Sequence, residues 1–288
     1  MVSPRKPRAG CYLQLMDPGF FGPGSITWRI NREMTVLFGG ARALLMHAAH
    51  PLVAAGARQT ASYRRDPWAR LIRTLSLQLL LPFGTRDEAR QAAERINRLH
   101  TVVHGVDPAT GERYDALDPD LLLWVHACLE QSSVLFYELT VGSLTAEEKQ
   151  RFHEENLVGA ELLLLPGDRV PPTYEGLESY IDRVITSDRM MITDVAGEVA
   201  DLIRGGPVPW HIKPVWKFIS FAAVGTLHPR LRQLYGFKFG TLRRRWLGLS
   251  LRALKRLRPL LPRRFRPILP ARVAERRLAG RPAPMPKP

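Results

Sequence analysis

His100 and His104 stand four apart in the stretch HTVVHGV, a spacing that places two imidazoles on one face of a helix, one turn apart. A neutral imidazole offers a lone pair, so such a pair can ligate a metal ion, hold an iron porphyrin, or fill a core as a hydrogen-bonded group. A zinc or non-haem iron site needs further histidine or carboxylate ligands. A dinuclear carboxylate bundle would show Glu-x-x-His units, which this chain lacks, and HEENL at His153 lacks the second histidine of a zinc-protease motif. A porphyrin asks less: one axial imidazole, an apolar slot and a few cations for its carboxylates. The run RLIRT supplies Arg70, Arg73 and Thr74, two guanidinium groups and a hydroxyl suited to an anionic edge or an oxygen ligand. These residue types leave the metal, porphyrin and structural readings open.

Other candidates carry a bland reading beside the chemical one. His47 and His50, three apart in LLMHAAHP, could line a pocket together, or pack and bond at a helix end. His126 in WVHACL sits in an apolar helix where a buried ring must find a partner, so a place at a cofactor edge competes with an ordinary core histidine. Cys128 in the same run reads as an inert buried thiol, Asp66 as a helix cap, and Glu33 as an inter-helix ion pair or an orienter of a pocket arginine.

The elements that must position these groups read as helices. INREMTVLFGG predicts a short helix closed by Gly39 and Gly40, and ARALLMHAAHP a second one ended by Pro51. Asp66-Pro67 opens a helix that stops at Pro82 and Gly84. Thr85 with Glu88 forms a capping box for a helix from Arg86 to His104, and Thr145 with Glu148 repeats it. Asp118-Pro119 opens a long apolar helix, and further helices are expected near 174–187, 193–204, 214–223 and 229–235. No βαβ alternation, internal repeat or glycine-rich nucleotide loop appears, so the expectation is an all-α chain with one helical domain over 20–242.

Composition narrows the class. The chain has 288 residues, 45% hydrophobic, enough for a substantial core, and only Cys11 and Cys128, too few for a disulfide framework or thiolate cluster. The basic start MVSPRKPRAG meets Pro18 before a secretory segment develops, which predicts a cytoplasmic location. FGGARALLMHAAHPLVAAGA is apolar but interrupted by Arg42, two histidines and Pro51, a poor membrane span. The net charge of +15 is concentrated: residues 243–288 hold 15 Lys and Arg against Glu275 alone, leaving the remainder near neutrality. High pI is thus a property of the tail and gives no reason to expect specific nucleic-acid binding by the body.

The order and spacing of WRINREMTVLFGGARALLMHAAHPLVAAG, YRRDPWARLIRT, FGTRDEA, INRLHTVVHG, YDALDPDLLLWVHACL and HPRLRQLYGF resemble the rubber oxygenase and mpaB-type oxygenase family from about Trp28 to Phe239. The resemblance implies a b-type haem in an all-helical domain, with an axial histidine in the segment matching INRLHTVVHG. His100 is then the iron ligand, with His104 beside it as the runner-up, and His50 and His126 as further cofactor-side candidates. In the latex-clearing branch a lysine beside a threonine approaches the iron face opposite the axial histidine. The match here is Arg73 beside Thr74, after Arg70, the three residues expected at the catalytic face. A guanidinium stays charged and offers donors rather than a lone pair, which departs from that pattern and speaks against carrying polyisoprene cleavage over.

The expected activity is a haem-dependent oxygenase or oxidase, with molecular oxygen as co-substrate, acting on a small or medium organic molecule, hydrophobic or lipid-like. The alternatives are a haem-binding sensor, carrier or peroxidase-like protein, and a basic membrane or nucleic-acid binder without cofactor. LRRRWLGLSLRALKRLRPLLPRRFRPILP, residues 242–270, reads as an amphipathic basic extension with Trp246, Leu249, Leu254, Leu257 and Leu261 on one side, suited to an anionic membrane surface or to packing on the body. The residues from Ala271 onward are expected to lack regular structure.

Overall fold

A computed structural model describes residues 17–60, 66–206 and 208–281. Among them it is predominantly helical, with thirteen α-helices and one two-stranded ribbon. In chain order these are α1 (Ile26–Asn31), α2 (Gly39–Ala48), α3 (Pro51–Thr60), α4 (Pro67–Phe83), α5 (Arg86–His100), β1 (His104–Val106), β2 (Arg113–Asp115), α6 (Pro119–Thr140), α7 (Ala146–Leu162), α8 (Tyr174–Thr186), α9 (Asp194–Gly205), α10 (Lys213–Thr226), α11 (Pro229–Leu234), α12 (Thr241–Leu257) and α13 (Leu269–Leu278).

The long helix α6 is the axis of the core. It runs 22 residues from the Asp118 cap, whose carboxylate accepts the Asp120 N–H at 2.8 Å, and buries Leu121 to Trp124, Ala127, Val134 and Phe136. Helix α2 packs on it most extensively because it starts on glycine: a Cβ at Gly39 would stand 2.8 Å from the Ser132 carbonyl oxygen. Gly39 and Gly40 therefore open α2 rather than close the segment before it, which is a 3-10 turn over Met34–Phe38. Pro51 likewise begins α3 instead of simply ending α2, and the two segments meet at a bend of 105°. No single helix among the described residues is long and apolar enough to cross a membrane; this bent pair meets that test in length and composition only, and much of it is core.

The sequence caps form as expected. Thr85 Oγ1 accepts the Glu88 N–H at 3.2 Å while Glu88 Oε2 accepts the Thr85 N–H at 2.7 Å; Thr145 and Glu148 repeat the exchange at 3.1 and 3.0 Å. Asp66 accepts the Ala69 N–H at 2.9 Å and starts α4. Helix α5 ends at His100, one turn short of the reading that took it to His104. There the chain turns and pairs His104 with Asp115 in the antiparallel ribbon, with Val103 buried and Val102 and His104 exposed.

The basic C-terminal segment packs back on the body. Leu247 and Leu251 of α12 lie against Phe136 and Ala222. Arg258 clamps Glu33 through Nε at 2.9 Å and Nη2 at 2.5 Å. Of the stretch from Ala271, expected without regular structure, the part up to Leu278 belongs to helix α13, whose Ala271 and Ala274 with Ile268 cover Trp28 and Phe83, while 282–288 lie outside the described residues. Small side chains there let the helix approach two aromatic rings closely, so an Ala- and Arg-rich composition still buries one face.

Candidate functional site

Helices α4 and α5 form a hairpin about the Gly84–Thr85 turn and pack against each other. Arg70 and His100 sit at nearly equal chain distances from that turn, so the hairpin brings the start of α4 level with the end of α5. Both residues line a cavity of about 390 Å³, within the range of small-molecule sites. Its walls come from α2, α3, α4, the end of α5, β2, α6, α9 and α10, and they are mainly apolar: Leu44, Leu52, Leu71, Leu121, Val125 and Leu202 among others.

Besides Thr60, Arg70, Thr74 and Tyr114, three polar features break this apolar wall. The first is His100, partly buried at the last turn of α5, whose Nδ1 is enclosed without a hydrogen-bond partner. Burial lowers its pKa below the ordinary value, so the ring is neutral and keeps a lone pair. The second is Trp216 on α10, whose indole N–H is also buried without an acceptor while its ring meets Trp68 edge-on at 6.2 Å. Orphaned polar atoms are costly unless a ligand satisfies them. The third is His47, whose Nε2–H donates to the Val125 carbonyl at 3.1 Å. That bond fixes the tautomer and leaves Nδ1 as an acceptor. Burial brings the His47 pKa down to about 4.

Of the sequence candidates, His100, Arg70 and Thr74 meet on this wall. The pair on α4 are four apart and share a face; Arg73, a step round the helix, is exposed and outside the lining. His104 is exposed on β1, also outside it. His50 is buried beyond the α2–α3 bend, its ring 6.5 Å from Trp124, with a pKa of about 4 caused by burial and then by Arg189. His126 faces the core instead: its Nε2 lies 3.1 Å from Glu130 Oε2, outside hydrogen-bond geometry. Glu130 Oε1 is 2.9 Å from His153 Nδ1, and His153 Nε2–H donates to the Pro171 carbonyl at 2.7 Å. Despite its burial, Glu130 is held below the usual carboxylate range by His126 and His153, and against its own burial His153 is raised by Glu130.

Sequence reasoning left Trp216 and Trp68 out, and for His47 it left pocket lining beside His50 and ordinary packing both open; His47 lines the cavity and His50 does not. Only Trp68 had a usable signal, its place in the same helix as Arg70 and Thr74; Trp216 is more than a hundred positions from His100 and meets the site only through the fold.

A predominantly helical body with an apolar cavity lined by two neutral imidazoles, His47 and His100, and by a guanidinium and a hydroxyl, has the features of a pocket for an apolar organic group. The chain belongs to the family described as ER-bound oxygenase mpaB/B'/rubber oxygenase, catalytic domain, whose model matches residues 28–262 and so takes in all of α12. That membership supports a haem-oxygenase-like, oxidoreductase type of function in general. Two curated mycobacterial proteins, uncharacterized protein Rv2237 of Mycobacterium tuberculosis and uncharacterized protein Mb2261 of Mycobacterium bovis, are each 24% identical over 203 residues, 68% of this chain and 77% of theirs. No solved structure matches the chain.

The residues present suit the haem that this family implies. Among the described residues no group of three or more His, Cys, Asp or Glu side chains converges to hold a bare metal ion. A porphyrin would need an imidazole, an apolar wall and a cation, and His100, the leucine lining and Arg70 are residues of those types on this wall.

Proposed function

We propose that this chain is a b-type haem-dependent oxygenase or oxidase that acts on a small or medium apolar organic molecule, and that His100 is its iron ligand. One observation carries the reading: a neutral histidine with a buried, unpartnered ring nitrogen stands on an apolar cavity wall together with Arg70 and Thr74. Haem, when bound, supplies the redox chemistry by which oxygen is activated.

The remaining work falls to the chain's own side chains. His100, uncharged because burial disfavours the imidazolium, keeps its lone pair available for a metal. Arg70 places a permanent positive charge on the wall, and Thr74 adds a hydroxyl one turn along α4; together they attract a carboxylate edge or donate to an oxygen-bearing group. His47, held by its bond to the Val125 carbonyl, keeps Nδ1 as an acceptor on the cavity wall. The leucine and valine walls exclude water and favour an apolar substrate. A substrate of that class partitions into lipid, so a place at a membrane surface belongs to the same reading.

Incubating the haem-supplied protein with a panel of isoprenoid, aromatic and fatty-chain molecules under labelled oxygen tests the activity. Label in a product supports an oxygenase; oxidised product without label supports an oxidase. A haem-loaded protein that consumes no substrate across the panel, yet binds diatomic ligands reversibly, would instead favour a sensor or carrier.

A further inference from the structure

Helix α12 carries two apolar stripes. Leu247 and Leu251 face inward onto Phe136 and Ala222. At 3.6 residues per turn, Leu242, Trp246, Leu249 and Leu257 gather within about 80° of arc, centred roughly 140° away from the inner pair. These four are exposed by 68%, 61%, 54% and 57%. Arg245, Arg252 and Arg256 border this outer stripe on one side and Arg243 on the other, all of them exposed. Residues 241–266 contain ten Lys and Arg and no acid.

At the start of this stripe lies a second cavity, of about 480 Å³, between α9, α10 and the loop leading to α12. Arg204, Lys217, Lys238 and Arg243 line it over an aromatic floor that includes Phe221 and Phe237, and no carboxylate lines it. Arg204 lies over the Phe237 ring at 5.7 Å and pairs with Asp201 at 3.8 Å; among the described residues Lys217 and Lys238 have no carboxylate partner. Four cations around one cleft repel each other until an anion enters. Arg243 belongs to the cleft and Leu242, its neighbour, to the stripe, so the two features are continuous.

We propose that this face docks onto an anionic phospholipid bilayer, with a headgroup phosphate in the cleft and the Leu242–Trp246–Leu249–Leu257 stripe at the acyl boundary. Charge and apolarity together select that occupant. A second copy laid stripe to stripe would bring like charges of Arg245, Arg252 and Arg256 together. Nucleic acid would satisfy the arginines but leave four large apolar side chains in water, and free phosphate would fill the cleft and ignore the stripe. An anionic bilayer satisfies both at once. The surface stands independently of the haem reading.

Flotation of the full-length protein with vesicles tests it, using phosphatidylcholine alone and phosphatidylcholine mixed with phosphatidylserine. Binding to the mixed vesicles is expected to be at least roughly tenfold tighter, and to weaken as salt rises. The stripe variant Trp246→Ser, Leu249→Ser, Leu257→Ser removes exposed side chains and is expected to stay folded by circular dichroism while losing most of this binding. The cleft variant Lys217→Gln, Lys238→Gln, Arg243→Gln is expected to weaken it about a hundredfold, at about 1 kcal/mol per cation. Equal binding to both vesicle types, or binding that survives in either folded variant, overturns the proposal. So does binding of duplex DNA, inorganic phosphate or a second copy of the chain in the absence of vesicle binding.

Discussion

Burial holds the imidazoles of His47 and His50 near a pKa of about 4, against 6.5 for a solvated histidine, and this ties the core around the cavity to pH. The unfolded chain takes up these protons first as pH falls. The stabilisation from keeping each ring neutral is therefore complete above pH 6.5 and is lost progressively down to about pH 4. His153 acts in the other direction, since its raised pKa means that its contribution is full at low pH and is given up as pH rises through the folded value. His50 is 7% exposed and isolates the first effect cleanly. In urea titrations from pH 7 to pH 4, His50→Leu is expected to remove about 3 kcal/mol of the pH dependence seen in the native protein. An unchanged slope would show that His50 is already protonated, or solvated, in the folded state. The spacing of His47 and His50 could not separate their fates, because the bend that sends one to the cavity and the other toward Trp124 is set by Pro51 starting a new helix rather than by either histidine.

Helices were legible where their signals are local. Capping boxes at Thr85 and Thr145 and the Asp-Pro entries at Asp66 and Asp118 act through bonds made within three residues, and all four formed as read. The hairpin they create is what levels Arg70 with His100, so half of the site was readable from the sequence. Signals failed where a distant element decides. Gly39 looks like a helix end, yet the Ser132 carbonyl selects glycine there so that α2 can touch α6. His104 looked like a helical neighbour of His100, but pairing with Asp115 in the ribbon draws it out to solvent. Gly39→Ala measures the close approach: a Cβ meeting fixed backbone is expected to lower stability by about 1–3 kcal/mol, although alanine is the better helix former. A stability equal to or above that of the native chain in thermal or urea unfolding would mean that α2 and α6 can part without cost.

Across the whole molecule the charge is unevenly placed, and the basic end does two jobs. Its inner side completes the core through Leu247, Ile268 and Ala271 and anchors to Glu33 through Arg258, while its outer side presents leucines, a tryptophan and arginines to solvent. Periodicity in the sequence picked out the outer side through Trp246, Leu249 and Leu257 and left out Leu247, which packs inward on Phe136 and Ala222. The opposite specialisation marks the cavity, where the chain gathers apolar walls around a few fixed polar atoms and two neutral histidines, His47, held by the Val125 carbonyl, and the unpartnered His100. That histidine is the centre of the functional account, and haem content measures its role directly. Protein produced with ample haem is to be assayed by pyridine haemochrome and visible spectra as the native chain, His100→Ala and His104→Ala, each checked for folding by circular dichroism. The account predicts near-equimolar haem in the native chain, the same in His104→Ala, and loss of most haem with an altered spectrum in His100→Ala. Full haem retention with an unchanged spectrum in a folded His100→Ala, or a native chain that takes up no haem, would contradict it.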